Sequence, residues 1–317
     1  MNLRFTSALA GVCLLAVATP AAVSAQPSSP EKAQKANPAD YAPGLRAADL
    51  NATVMNSKNS GLAQPRPQDW RTPDPDNLLV IDTNKGRIVV ELAPLVAPLS
   101  VQQVKTLAHQ HFYDGLTFFR VIDNFMDQTG DPKNNGEGGS ALPNVKAEFT
   151  FRRGPSTPFA PVPEPGNAAS GFIGSLPVAS QPDALMSMTA DGKVAAWGLF
   201  CPGVLGMARA GDPDSGNSQF YIMRQAYPKL NKQYTVFGRV VEGLAVARAI
   251  KVGEPVDDPQ DRMITVRLAS DLPPAERPAI GVLDANSPAF KARVEQARID
   301  KGEDFSLCDV DIPTKPH

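Results

Sequence analysis

Histidine is scarce in this chain of 317 residues, with His109, His111 and His317 the only three. His109 and His111 are two positions apart, a spacing that does not put two side chains on one helical face. Neither a zinc site nor a histidine-based nucleophilic triad has enough parts, and no metal is expected. No Gly-x-Ser-x-Gly elbow, dinucleotide-binding glycine fingerprint or Walker loop occurs, which weighs against serine hydrolases and nucleotide enzymes. Charge of one sign is also missing. A formal net charge of -2 gives no reason to expect nucleic acid or an acidic membrane surface as partner. Long apolar runs are absent too: the stretch from Leu9 to Val17 is too short to span a bilayer, and no other segment has the length.

That short run has a different meaning. Arg4 precedes it, and Pro20 and Val23-Ser24-Ala25 follow, so a basic start, an apolar stretch and small residues before a cleavage point form a secretory signal. Cleavage is expected after Ala25, sending the protein out of the cytoplasm, with a bacterial periplasm the expected address. Of the three cysteines, Cys13 leaves with the signal, while Cys201 and Cys308 stay. In an oxidising compartment these two are candidates for a disulfide, the alternative being two buried thiols. A bond between them would close a loop worth about 4–5 kcal/mol in the chain-entropy account.

Proline is plentiful, at 31 residues, and clusters outside the strand-like segments. Residues 26–76 read as an N-terminal linker or extension, with Trp70 a packing anchor. The folded domain is expected over 77–270. Leu78 to Asp82 and Arg87 to Leu92 flank Thr83-Asn84-Lys85-Gly86 and predict a hairpin. Ser100 with Gln103 three residues later is a capping-box pattern, and Val101, Val104, Leu107 and Ala108 give the stripe of a helix. Phe118 to Asp131 predicts two strands around an Asp123-Asn124 turn. Alternation then puts Phe118 and Arg120 on one face, and Met126 with Gln128 on one face of the second strand. An arginine among aromatics is costly to bury unpaired, so Arg120 is either an ion-paired structural residue or a working cation beside an apolar pocket. Gly136 to Gly139 has no helix pattern behind it, and so reads as a loop whose backbone approaches something closely rather than a phosphate cradle.

Residues 152–203 form a long insertion rich in proline, glycine, aromatics and methionine, with Val178 to Ser180 and Val194 to Leu199 expected to pair as a small hairpin. Strands are expected again at Val204–Ala208, Ser218–Met223, Thr235–Val240 and Ile264–Leu268, and a second helix along Leu244, Ala247 and Ile250. Asp212 and Asp214 lie in a solvated turn, since the terminal bidentate carboxylate of a calcium loop is missing. Beyond Asp271 a C-terminal extension, 271–317, carries a weak helical stripe at Phe290, Val294 and Ala297. The fold class is therefore mainly β: eight antiparallel strands forming a barrel capped by two helices.

Six segments occur together and in one order: Phe118-Phe119-Arg120-Val121-Ile122, Phe125 to Asp131, Gly136-Glu137-Gly138-Gly139, Gly206-Met207-Ala208-Arg209-Ala210, Ser218-Gln219-Phe220-Tyr221-Ile222 and Tyr234-Thr235-Val236-Phe237-Gly238. In this the chain resembles the cyclophilin family over about 78–270, apart from the insertion. The resemblance implies the same eight-stranded barrel and a peptidyl-prolyl cis-trans isomerase activity that needs no cofactor. Position by position, it implies Arg120 as the catalytic arginine with Gln128 beside it, and Phe125, Met126 and Leu230 as the lining of a proline pocket. It further implies Gln128 and Gln219 as a polar rim, and Gly136, Ala208, Arg209 and Ala210 as the groove for flanking residues. Tyr221 stands where phenylalanine is usual, Tyr234 where histidine is frequent, Lys229 where many members have tryptophan, and Arg209 in place of an asparagine. The implied partners are proline-containing unfolded or partly folded polypeptides, and the protein is expected to act as a monomer. Other readings are an exported peptide-binding or holdase module with little turnover, for which the insertion would be a client surface, and a hydrolase or carbohydrate-binding barrel, which lacks catalytic clusters.

Overall fold

A computed structural model of the protein describes residues 64–163 and 169–316. The signal sequence and most of the 26–76 extension lie outside these residues. The strands in chain order are β1 (Trp70–Arg71), β2 (Leu78–Thr83), β3 (Gly86–Leu92), β4 (Arg120–Ile122), β5 (Met126–Thr129), β6 (Phe151–Arg153), β7 (Ala160–Pro161), β8 (Ala169–Ile173), β9 (Leu176–Ser180), β10 (Val194–Gly198), β11 (Val204–Met207), β12 (Phe220–Met223), β13 (Val236–Glu242), β14 (Met263–Leu268), β15 (Ile280–Leu283) and β16 (Thr314–Pro316). The helices are α1 (Pro98–His109), α2 (Leu244–Arg248) and α3 (Pro288–Lys301).

Eight strands form one antiparallel sheet in the order β14-β2-β3-β13-β11-β12-β5-β4. The sheet curls until its two edges meet. Thr117, just ahead of β4, bridges Arg262, just ahead of β14, and the amides of Phe118 and Met263 donate to the carbonyls of Asp261 and Leu116 at 2.9 Å each. Pairing the edges in this way satisfies backbone groups that would otherwise face water as a sticky template. Leu79, Ile81, Ile88, Val90, Leu205, Phe220, Ile222 and Phe237 fill the interior together with Val101, Val104 and Leu107 of α1.

The expected hairpin is present as β2 and β3, paired from Leu78↔Glu91 to Thr83↔Gly86. The run Leu78-Leu79-Val80-Ile81 is apolar without alternation because both faces are covered. Leu79 and Ile81 point into the barrel, whereas Leu78 and Val80 pack with Ile280 and Val282 of the C-terminal extension.

The start of α1 corrects the expected cap. The helix begins at Pro98 with Ala97 as N-cap, three residues earlier than a cap at Ser100 would place it. Proline suits the first helical position because that N–H has no helical acceptor anyway. The free amides of Leu99 and Ser100 donate to the Glu148 carboxylate at 2.8 Å each, and the Ser100 hydroxyl donates to it at 2.7 Å. A carboxylate from a distant loop thus does the work that the local pattern assigned to serine.

The insertion is larger in structure than a hairpin. β9 and β10 do pair, but within a five-stranded sheet of order β6-β10-β9-β8-β7. Its inner face meets the outer face of the barrel in a second core of Val178, Ala196, Phe200, Val204, Tyr221, Met223 and Val236. The C-terminal extension completes the molecule. Strand β15 pairs with β1 on one side and β16 on the other, so the chain around Trp70 is part of a sheet rather than a linker. Helix α3, N-capped by the Ser287 hydroxyl, buries Phe290 and Val294 against Phe172 and Leu283. Cys201 and Cys308 are joined by a disulfide. Nearby, the buried guanidinium of Arg239 on β13 donates to the carbonyls of Ser175 at 3.2 Å and Val310 at 3.4 Å. It ties barrel, insertion and tail at one point, and burial pushes its pKa down to about 10.

Candidate active site

β4 and β5 form a short hairpin, with Arg120 directly opposite Gln128 in the register. On β5, Met126 and Gln128 both face a cavity of about 780 Å³, as alternation requires. The expectation for the preceding strand is corrected. Phe118 lies in the barrel core with Val121, whereas Phe119 and Arg120 line the cavity, because regular strand geometry begins only at Arg120. The apolar wall is made by Phe119, Phe125, Met126, Tyr221, Leu230 and Tyr234.

A chain of hydrogen bonds fixes the polar edge. Nε2 of Gln219 donates to the carbonyls of Gly136 at 2.9 Å and Gly138 at 2.7 Å. Carbonyls only accept, so the amide of Gln219 must turn its oxygen toward Gln128. That oxygen receives the Gln128 Nε2 donor at 2.9 Å, and Oε1 of Gln128 in turn receives Nη1 of Arg120 at 3.2 Å. The other side of the guanidinium is held by a residue that sequence reasoning missed: Nε of Arg120 donates to Oε1 of Glu254 at 2.6 Å. Among the described residues Nη2 makes no hydrogen bond, so the cation keeps a free donor beside the cavity.

The glycine loop after β5 is built around Asp131. Burial alone would raise this carboxyl, but the backbone amides of Lys133, Asn135, Gly136 and Gly138 outweigh it and hold the pKa below the ordinary carboxylate value. The amides of Lys133, Asn135 and Gly136 donate at 2.7, 3.0 and 2.6 Å. A Cβ on Gly138 would sit 1.8 Å from Oδ1 of Asp131, so the glycine there makes room for the protein's own carboxylate. This loop brings Asn134, Asn135 and Gly136 to the cavity rim.

The opposite rim comes from β11 and the turn before β13. Ala208 and Arg209 line the cavity. The Arg209 guanidinium lies 4.4 Å from the centre of the Tyr234 ring and donates to the Gln233 carbonyl at 3.2 Å through Nε. Its side chain is therefore a wall element and not merely a backbone spacer. Tyr221 forms the floor, stacked on Phe200 at 6.0 Å with its ring pressed on the backbone of Gly206. Its hydroxyl is buried with no hydrogen-bond partner among the described residues, and burial holds its pKa well above the usual phenol value.

Most of the residues singled out in the sequence thus meet around one cavity: Arg120, Phe125, Met126, Gln128, Gly136, Ala208, Arg209, Tyr221, Leu230 and Tyr234. Gln219 stands behind Gln128 rather than in the wall, and Ala210 lies past the rim, its amide donating to the Ser215 hydroxyl at 2.8 Å. Phe119, Asn134, Asn135, Glu254 and Pro255 line the cavity in addition. A Gly-Glu-Pro turn is visible in the sequence, but its pairing with β4 leaves no local signature.

Residues 78–270 match the family described as cyclophilin type peptidyl-prolyl cis-trans isomerase/CLD. A protein of Brucella suis biovar 1 named "Probable peptidyl-prolyl cis-trans isomerase" is 33% identical over 196 residues, 58% of this chain and 76% of its own length. A "Peptidyl-prolyl cis-trans isomerase-like 1" of Aspergillus fumigatus is 32% identical over 168 residues, 53% of this chain and 78% of its own. Among solved structures, the cyclophilin AquaCyp293 from Hirschia baltica superposes with a TM-score of 0.72 at 32% identity, covering 86% of this chain and 97% of that one. That superposition spans a larger share of the chain than the family match does. An apolar cavity edged by a fixed cation, on an eight-stranded curled sheet of this order, belongs with these sequences: the chain is a member of the cyclophilin family of peptidyl-prolyl cis-trans isomerases.

Proposed function

We propose that the protein isomerises X–Pro bonds in exported polypeptides as they fold, with Arg120 as the catalytic residue and Gln128 as its partner. The observation that carries this reading is the guanidinium fixed at two atoms beside an apolar cavity, with one donor edge unspent. Amide resonance opposes rotation with a barrier of about 18–20 kcal/mol, lowered little by proline itself. At the twisted transition state that resonance is lost, and the prolyl nitrogen becomes pyramidal and a better acceptor. A cation that donates to this nitrogen stabilises the twisted form more than either planar form, which is the condition for catalysis. Phe125, Met126, Tyr221, Leu230 and Tyr234 hold the ring, while Gly136, Ala208 and Arg209 hold the chain on either side. The carbonyl before the proline is then the part that swings. Nothing covalent is required.

The export reading is supported by the signal-like N-terminus and by the Cys201–Cys308 bond, which suits an oxidising compartment. One preparation tests these points. Protein recovered from the periplasmic fraction of producing cells is expected to begin at Gln26 by intact mass. It is expected to accelerate cis–trans exchange of a short X–Pro peptide measured by NMR exchange spectroscopy. Arg120→Ala is expected to lose about a hundredfold in kcat/KM, the usual cost of removing a transition-state donor. Exchange at the wild-type rate in that variant would remove Arg120 from the mechanism.

A further inference from the structure

Glu254 sits on a turn that has no reason of its own to be where it is. The segment Gly253-Glu254-Pro255-Val256 folds over β4 and is pinned to it at both ends. The amide of Gly253 donates to the Val121 carbonyl at 2.9 Å, the amide of Val121 donates back to Gly253 at 2.8 Å, and the amide of Val256 donates to Phe119 at 2.9 Å. Glycine is required at 253, where a Cβ would lie 2.6 Å from Cα of Val256. The approach to the turn is anchored as well. Arg224, paired with buried Asp127 at 2.9 Å, donates to the carbonyls of Arg248 at 2.6 Å and Ile250 at 3.3 Å. The turn therefore straddles the residue between its anchor points, Arg120, and presents a carboxylate to its Nε at 2.6 Å.

Stability does not account for that pair. Its side chains are 37% and 54% exposed, and ion pairs in such positions contribute little to folding. Orientation does account for it. An arginine side chain has many rotamers, and a single bond from Gln128 to Nη1 leaves the plane of the guanidinium free to tilt. A second bond at Nε, from the other side, fixes that plane and, among the described residues, leaves Nη2 unspent on a side chain that lines the cavity. We infer that Glu254 is a positioning residue for the isomerase reaction, holding Arg120 by its Nε so that the remaining guanidinium edge meets the prolyl amide at the transition state. This rests on the reading of Arg120 given above. Because the carboxylate touches the arginine and not the apolar wall, its removal should slow turnover without weakening the hold on the proline ring.

The test is a double-mutant cycle on the mature protein with the same X–Pro peptide, reading kcat and KM separately together with the Arg120 Nε–H resonance in a proton–nitrogen correlation spectrum. Glu254→Ala is expected to lower kcat about tenfold with KM changed less than about twofold. The Arg120 Nε–H signal should lose its protection from exchange with water. Glu254→Gln, whose amide oxygen can accept the same bond, should recover kcat to within about threefold of wild type and restore the signal. In an Arg120→Ala background, Glu254→Ala should cost nothing more. An unchanged or raised kcat in Glu254→Ala, or an additive loss in the double variant, overturns the inference while leaving Arg120 catalytic. Wild-type turnover in Arg120→Ala alone overturns both.

Discussion

Tyr221 is the residue whose chemistry and location disagree most. Its ring is needed as the floor of the cavity, between Phe200 and the bare backbone of Gly206, but its hydroxyl is buried without a partner among the described residues. A buried hydroxyl that has given up water and gained nothing costs about 1–3 kcal/mol. Replacing Tyr221 by phenylalanine removes the unpaired group and keeps the ring, so the variant is expected to be more stable by about 1 kcal/mol, seen as a raised urea midpoint with an unchanged slope. A lowered midpoint would mean that the hydroxyl has a partner after all. Arg120 and Glu254 show the converse arrangement, two ionised groups left partly in water, where their pairing costs little and their geometry can serve the reaction.

The loop from Asp131 to Gly139 is an element with no regular structure, and one carboxylate gathers its amides. Its pH dependence follows. Asp131 has a folded-state pKa below its unfolded value, so its contribution is complete above the ordinary carboxylate pKa of about 3.9 and is lost as pH falls through and below that value. Between pH 6 and pH 5 the amide resonances of Asn135 and Gly136 should therefore stay constant, and between pH 4 and pH 2 they should shift and lose protection ahead of global unfolding. If they hold to the point of unfolding, the carboxylate does not anchor the loop. What the sequence could and could not reveal is plain at this scale. The β2–β3 hairpin is two apolar runs around a Gly-containing turn, the α1 stripe and the α3 stripe at Phe290 and Val294 are patterns of period 3.6, and all three are local and present as read. Ser100 misled because Glu148, 48 positions along the chain, supplied the cap acceptor. β8, Ala-Ser-Gly-Phe-Ile, carries no strong alternation, and only its pairing with β7 and β9 makes it a strand. Glu254 was hidden for the same reason, since its partner lies 134 residues away.

Across the molecule, the disulfide joins the end of the insertion to the tail over a separation of 107 residues. Crosslinking a loop of this length restricts the unfolded chain by about 4–5 kcal/mol in the entropy account. Cys201→Ser with Cys308→Ser is therefore expected to lose several kcal/mol, read as a lowered guanidinium midpoint, and reductant should lower the midpoint of the wild type but not of the variant. Equal midpoints for wild type and variant under oxidising conditions would show that the tail is held by packing and by Arg239 alone. The effect should extend toward the cavity, because Phe200, next to Cys201, stacks on Tyr221 and takes up the Tyr227 amide at 2.8 Å through its carbonyl.

Leu78 and Val80 are covered on their outer side by Ile280 and Val282, residues that fall beyond the stretch 78–270 matched to the family. The stretch shared by descent and the stretch that can live in water are thus different lengths. Anyone who trims this protein to its recognisable portion, or grafts that portion into a fusion, would strip the cladding from its second strand and leave a greasy flank facing solvent.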